Sequence, residues 1–289
     1  MTVAGITKSQ PKGSKIRYAR VLQGLESCGW CFMLASRGFV YRSEEAASHS
    51  HRGCKCIVMA GREGDTIEGH DLEGIQDRYN KIAEACGVDI FTDKDTRLDQ
   101  LSREDYDRIA RFAELRDPEW LSRGILPTID YRYTSREEIE HSMDSVNLST
   151  IDFLRDEGFK ITPRPPHAIG KNGKVLDGVT NPDIYINNSE IWEIKHRAAS
   201  NPGRKNGKLT FVYNSLHGGK KNFRNVYDPD KKIGTGPADK IRIILDVGPH
   251  EINATNKEIE DYIKKEMKFN NIDEVLVIYP DKSLGFYKK

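Results

Sequence analysis

The stretch NPDIYINNSEIWEIK, residues 181–195, constrains the fold more than any other part of the chain. DIYI and EIWEIK are short runs rich in Ile, Tyr and Trp, and Asn187, Asn188 and Ser189 between them are turn formers, so the segment predicts a β-hairpin. A strand repeats every two residues, which puts Glu193 and Lys195 on one face with Ile191, and Trp192 and Ile194 on the other. Asp183 begins the outgoing strand and, across a short hairpin, lies near the far end of the return strand. Three ionisable groups can therefore converge on one surface. Isolated carboxylates are costly to bury, and a strand pair that keeps them among apolar neighbours is offsetting that cost with a function.

Further short runs follow the same pattern: FKIT before the hairpin, then KIRIILDV, DEVLVIYP and SLGFYK, all bounded by Asn, Gly or Pro. Helical patterns surround them. DLEGIQDRYNKIAEACG stops at Gly87, LSREDYDRIARFAEL opens with Ser102 and Asp105 at capping-box spacing, Ser135 and Glu138 repeat that spacing, STIDFLRDEGF closes at Gly158, and IEDYIKKEMKF is helical by its apolar period. The first two read as surface helices. The expected fold class is α+β in three parts: a small zinc-stabilised unit at 1–61, an acidic helical connector at 62–134, and a mixed β-sheet nuclease domain flanked by helices at 135–289.

The net charge of +1 hides a segregation that supports this division. Residues 1–61 carry 9 basic and 3 acidic groups, residues 62–150 carry 12 and 22, and residues 151–289 carry 24 and 19. A nucleic acid senses the local patch, so a near-neutral total does not argue against binding one. No apolar run is long enough for a membrane helix, and MTVAGITKSQPKGSK lacks the apolar core of a signal peptide, so a virion-associated or cytoplasmic protein is expected.

Four of the five cysteines fall in the first sixty residues, in CGWC (Cys28, Cys31) and HSHRGCKC (His49, His51, Cys54, Cys56). Two thiolates two residues apart can grip one tetrahedral ion, and a second cluster at short range closes the site. The expected ligands of a structural zinc are Cys28, Cys31, Cys54 or His51, and Cys56. With four protein ligands the ion is a staple rather than a catalyst. YARVLQGLESCGWCFMLASRGFVY with HSHRGCKC resembles the cysteine-rich C-terminal end of MuF-type minor head proteins of tailed phages. That resemblance implies a head-associated protein with virion partners, in a group whose members often carry a C-terminal toxin domain.

In the hairpin, Pro182-Asp183 followed by Glu193-x-Lys195 is similar to the PD-(D/E)xK pattern of metal-dependent nucleases, where two carboxylates hold Mg²⁺ and the lysine orients or activates the attacking water. From Lys195 to Arg224 there is no Asp or Glu, while Arg197, Arg204, Lys205, Lys208, Lys220, Lys221 and Arg224 are interleaved with Phe211, Tyr213 and Phe223. Such a run suits a phosphate backbone with base stacking. His167 and His217 are candidate general acids, because an imidazole titrates near neutrality; His196, facing away from Lys195, is the poorest placed of the three.

DGVTNPDIYINNSEIWEIKHRAA, KIRIILDV and EVLVIYPDKSLGFYK resemble the tRNA nuclease domain of CdiA contact-dependent inhibition toxins, over about residues 145–289. The resemblance implies a toxin that cleaves tRNA and is held in check by an immunity protein. It also admits a metal-free mechanism, in which Glu193 or a histidine is general base and Lys195 with an arginine stabilises the phosphate charge. The residues leave the metal open. The competing readings are a metal-dependent DNase and a virion protein that only binds nucleic acid.

Overall fold

The computed structural model describes residues 16–22, 29–48, 56–88, 101–142, 145–196, 209–248 and 254–289. The chain divides into two compact units, one of residues 1–84 and 88–127, the other of 85–87 and 128–289.

In the first unit β1 (Ile16–Val21) pairs antiparallel with β2 (Ile57–Arg62), in a register that sets Ile16 opposite Arg62 and Val21 opposite Ile57. Between them lie α1 (Gly29–Ala35) and α2 (Glu44–Ser48), and after them α3 (Leu72–Ala85), α4 (Arg103–Glu114) and α5 (Pro118–Arg123). The helix ends follow local chemistry: Gly87 turns left-handed at φ 66° beyond α3, and Ser102 accepts the Asp105 N–H at the start of α4. The helices expected at the surface each bury one face, with Ile75, Tyr79 and Ile82 on α3 and Ile109, Phe112 and Ala113 on α4 all within the core. Gly29 lets α1 meet α4 closely, since a Cβ there would stand 2.2 Å from the Ala110 carbonyl oxygen.

The second unit begins with α6 (Arg136–Ser142) and α7 (Ser145–Asp156). Ser135 and Glu138 cap α6 reciprocally, as their spacing predicted: the Ser135 N–H donates to the Glu138 carboxylate and the Glu138 N–H to the Ser135 hydroxyl. The remaining elements are β3 (Ile161–Pro163), β4 (Ile184–Ile186), β5 (Glu190–His196), α8 (Thr210–Lys221), β6 (Tyr227–Asp228), β7 (Ile233–Gly234), β8 (Arg242–Asp246), α9 (Asn256–Asn270), β9 (Glu274–Ile278) and β10 (Leu284–Lys288). All six strands expected from the sequence join one mixed sheet in the order β10-β9-β8-β5-β4-β3, confirming the α+β class.

β5 is the strand where the sheet changes character. It is antiparallel to β4 on one side and parallel to β8 on the other. A parallel partner needs a crossover, and α8 supplies it. On one face Val212 and Leu216 of α8 and Ile259, Ile263 and Met267 of α9 pack with Ile243, Leu245, Val275 and Val277. Toward the opposite face α7 packs on β3 and β5, and its Thr150 hydroxyl donates to the buried Asp246 carboxylate at 2.5 Å. Register is strongly specified here, because a slip of one residue would exchange buried Trp192 and Ile194 for Glu193 and Lys195. Among the described residues no helix is long and apolar enough to cross a membrane.

The helix α8 lies inside what the sequence presented as a cation-rich connection, and its own composition explains why it was missed. TFVYNSLHGGKK holds β-branched and aromatic residues and two adjacent glycines, which are poor helix formers. The packing of one face decides the matter instead. Gly219 is part of that packing, since a Cβ would fall 2.9 Å from Ile243 Cδ1 and 3.6 Å from Lys195 Cγ. Gly219→Val should cost about 1–3 kcal/mol by overpacking, read as a lower midpoint of urea unfolding; an unchanged midpoint would show that α8 does not depend on this close approach.

Candidate active site

The hairpin register builds the site. Ile184 is opposite Trp192, Tyr185 opposite Ile191 and Ile186 opposite Glu190. One step further along the same ladder, Asp183 falls opposite Glu193, and directly opposed residues share a face. Asn187 and Asn188 make this hairpin possible by taking left-handed conformations at φ 53° and 63°. Asparagine tolerates that region better than other residues with a side chain.

Asp183 is half-buried, and its Oδ2 accepts the Ile194 N–H at 2.7 Å. Glu193 is only 2% exposed. Its Oε1 accepts from both Lys195 Nζ and Asn222 Nδ2, the latter at 2.5 Å, while Oε2 is buried with no hydrogen-bond partner. Lys195 keeps part of its side chain in solvent, so its ammonium bridges the buried acid and the outside. Burial pushes the proton affinity of Glu193 well above the usual carboxylate range, and the neighbouring Asp183 charge adds to the effect while Lys195 opposes it. Asp183 is raised as well, by burial, against Lys195 and the Ile194 N–H. Two acids that resist simultaneous ionisation form a site with a standing demand for positive charge.

Arg164 belongs to this site and was not foreseen. Its side chain is fully buried. Its main-chain N–H donates to the Asp183 carbonyl at 2.9 Å, Nη1 to the Pro182 carbonyl at 3.1 Å, and Nη2 to the Tyr227 carbonyl. The guanidinium also stacks over the Tyr185 ring, 4.8 Å from its centroid. It thereby holds the strand end that carries Asp183. A lone Arg between prolines has no sequence signature of such a role. Asn222 was missed for the same reason, lying 29 positions from the acid it bonds.

Of the other predicted residues, His217 lies on the exposed side of α8, stacked on Tyr213 with ring centroids 5.7 Å apart, and His167 is exposed between β3 and β4. Neither is bonded to Asp183, Glu193 or Lys195. Lys220, Lys221 and Arg224 sit at and beyond the end of α8, with Lys221 and Arg224 exposed. Phe223 is buried in the core rather than offered to a base. Arg197, Arg204, Lys205 and Lys208 lie outside the described residues, as do Cys28, His51 and Cys54 of the expected zinc ligands. Cys31 is buried on α1 and Cys56 is half-buried just before β2. Among the described residues no group of three or more His, Cys, Asp or Glu side chains comes together as a metal cluster.

Two carboxylates nonetheless fit a hard divalent cation such as Mg²⁺, which takes one or two carboxylates and fills its remaining positions with water and phosphate oxygens. The buried, unbonded Oε2 of Glu193 is the atom that fits such a ligand.

Residues 1–82 match the family model described as VG15 protein, a phage-type virion protein family. This agrees with the N-terminal resemblance at that level and covers less than half of the chain. No curated protein matches the chain in sequence. Among solved structures the chain is similar to the CdiA-CT/CdiI toxin and immunity complex from Burkholderia pseudomallei, at 16% identity and a TM-score of 0.32, over 56% of this chain and 98% of that one. A likeness that distant decides neither fold nor chemistry.

The raised proton affinity has a stability consequence. Glu193 ionises near its ordinary value when unfolded and only at about 8 when folded, so its contribution is fully present at acid pH and is lost as pH rises toward and through the folded value. In metal-free buffer Glu193→Gln should therefore raise the Tm by about 5 °C at pH 9 and by much less at pH 5. Thermal unfolding at the two pH values checks this, and equal shifts would contradict the burial argument.

Proposed function

We infer that the second unit is a divalent-metal-dependent nuclease acting on tRNA. The observation that carries the reading is the buried Glu193 carboxylate, opposed across the strand pair by Asp183, bonded on one oxygen by Lys195 and unbonded on the other. A structural ion pair would have no need to leave that oxygen buried and unbonded. Asp183 and Glu193 would hold the cation, which when bound supplies charge to the scissile phosphate and acidifies a water. The chain's own groups do the rest. Lys195, anchored on Glu193 and open to solvent, meets a phosphate oxygen and orients the attacking water. Arg164 keeps Asp183 in place through the Pro182 and Asp183 carbonyls. Lys220, Lys221 and Arg224 offer positive charge to the backbone of the nucleic acid.

The choice of tRNA rests on the sequence resemblance to CdiA tRNA nuclease domains across about residues 145–289. With it come a toxin role and a cognate immunity protein as partner. The N-terminal part, similar to phage-type virion proteins, is the element by which such a toxin would travel with a phage head. Of the metal-free mechanisms, the one with a histidine as general base has less support, since neither His167 nor His217 is bonded to Asp183, Glu193 or Lys195.

Incubating the full chain with total tRNA and with plasmid, in Mg²⁺ and in EDTA, tests the assignment. Discrete tRNA fragments that disappear with EDTA are expected, and Glu193→Ala and Lys195→Ala should each slow cleavage by about 100-fold or more. Cleavage of tRNA that survives chelation would remove the metal from the mechanism. Nicking of plasmid without tRNA cleavage would make the protein a DNase, and no cleavage of either would leave a nucleic-acid-binding virion protein.

A structural zinc on Cys28, Cys31, His51 or Cys54, and Cys56 remains our assignment for the N-terminal cluster. Elemental analysis of the purified chain should find one zinc per molecule, lost on substitution of Cys31 or Cys56, and a preparation without zinc would dismiss it.

A further inference from the structure

We propose that Asn222 is a positioning residue that orients the Glu193 carboxylate so that a chosen oxygen, Oε2, is presented to a divalent cation. The proposal rests on the metal-dependent reading of the acid pair. Its basis is an asymmetry in how Glu193 is bonded. Both of its donors, Lys195 Nζ and Asn222 Nδ2, converge on Oε1, and Oε2 is left buried and unbonded. A carboxylate free to rotate would share two donors between its two oxygens. With Lys195 alone, whose flexible stem can follow either oxygen, the orientation would be undetermined. The Asn222 amide is not flexible in that way. It projects from the C-cap of α8, where its main-chain N–H donates to the Gly219 carbonyl.

Asn222 also reaches the segment that bears the second acid. The Thr180 hydroxyl donates to the Asn222 carbonyl at 2.6 Å and to the Asn225 carbonyl at 3.0 Å, and the Thr180 N–H donates to the Asn225 carbonyl at 2.8 Å. Thr180 stands three residues before Asp183, so one residue at the end of α8 bonds the Glu193 side chain and braces the approach to Asp183. The groups that surround Glu193 are thus Asp183 opposite, Lys195 on its own strand, Arg164 from β3's end and Asn222 from α8. Among them Asn222 is the neutral one. It directs the carboxylate without adding a further charge to the two acids and two cations already there. Groups that orient metal-binding side chains from behind are typically worth 10–100-fold in metal affinity.

The test uses the full chain and MgCl₂ alone, read by calorimetric titration and by the Tm shift on adding the ion. Asn222→Ala removes the amide and leaves the main-chain bonds to Gly219 and Thr180 in place. It should weaken Mg²⁺ binding by about 10–100-fold, while the metal-free Tm moves by only a few degrees. In cleavage assays the half-saturating Mg²⁺ should rise by the same factor and the KM for tRNA should stay put, a split that general loosening of the fold would not produce. Should the alanine variant fail to fold, Asn222→Leu fills a similar volume without the donor and carries the same expectation. If the wild-type chain binds Mg²⁺ and both variants bind it within about twofold of wild type, Asn222 does not position Glu193 and the proposal is overturned while the metal reading stands. If the wild-type chain shows neither heat nor a Tm shift with Mg²⁺, the metal reading fails and takes this proposal with it.

Discussion

Two carboxylates facing each other across a pair of strands, one almost fully buried, set the terms for the second unit. Opposed like charges away from water repel, and each holds its proton more tightly than it would in solution. Every neighbour resolved around them reduces that cost. Lys195 supplies a charge from the same strand, Arg164 a second from behind, Asn222 a donor from α8, and the Ile194 N–H a bond to Asp183. None of these reaches Glu193 Oε2. The compensations around the two acids leave one buried oxygen, Glu193 Oε2, without a hydrogen-bond partner, and that is the position the proposed metal role gives to a cation.

The sheet and helix packing serve that arrangement. β5 carries Glu193 and Lys195 on the face toward α8 and Trp192 and Ile194 on the face away from it, so the apolar residues secure the register that aims the polar ones. The parallel pairing of β5 with β8 requires a crossover, and the crossover helix ends where Asn222 meets Glu193. Gly219, one turn earlier, allows the helix to lie against Ile243 and Lys195. The connection the topology demands thus also delivers a polar group to the acids.

Much of this was legible in the residues. The β-hairpin followed from turn chemistry and period-two alternation, and so did the shared face of Glu193 and Lys195. Capping pairs such as Ser102 with Asp105 and Ser135 with Glu138 marked helix starts, and Gly87 and Gly158 marked ends. These are local rules, in which each residue's neighbours in sequence are also its neighbours in space. The same rules failed for α8, whose two glycines and β-branched residues oppose a helix that its packing on α9, β8 and β5 sustains. They failed again for Phe223, read as a base-stacking aromatic and found in the core.

The sequence by itself determined the six strands of the main sheet, the helices α3, α4, α6, α7 and α9, the hairpin and the identity of three charged groups on one face, because backbone periodicity and turn preference act over a few residues. Tertiary structure decided that Asp183 stands opposite Glu193 with Arg164 buried behind it, that Asn222 arrives from a distant helix, and that His167 and His217 lie apart from the acids. Those outcomes depend on which surfaces pack, and packing is settled by the burial of side chains far apart in the chain, which no local pattern encodes.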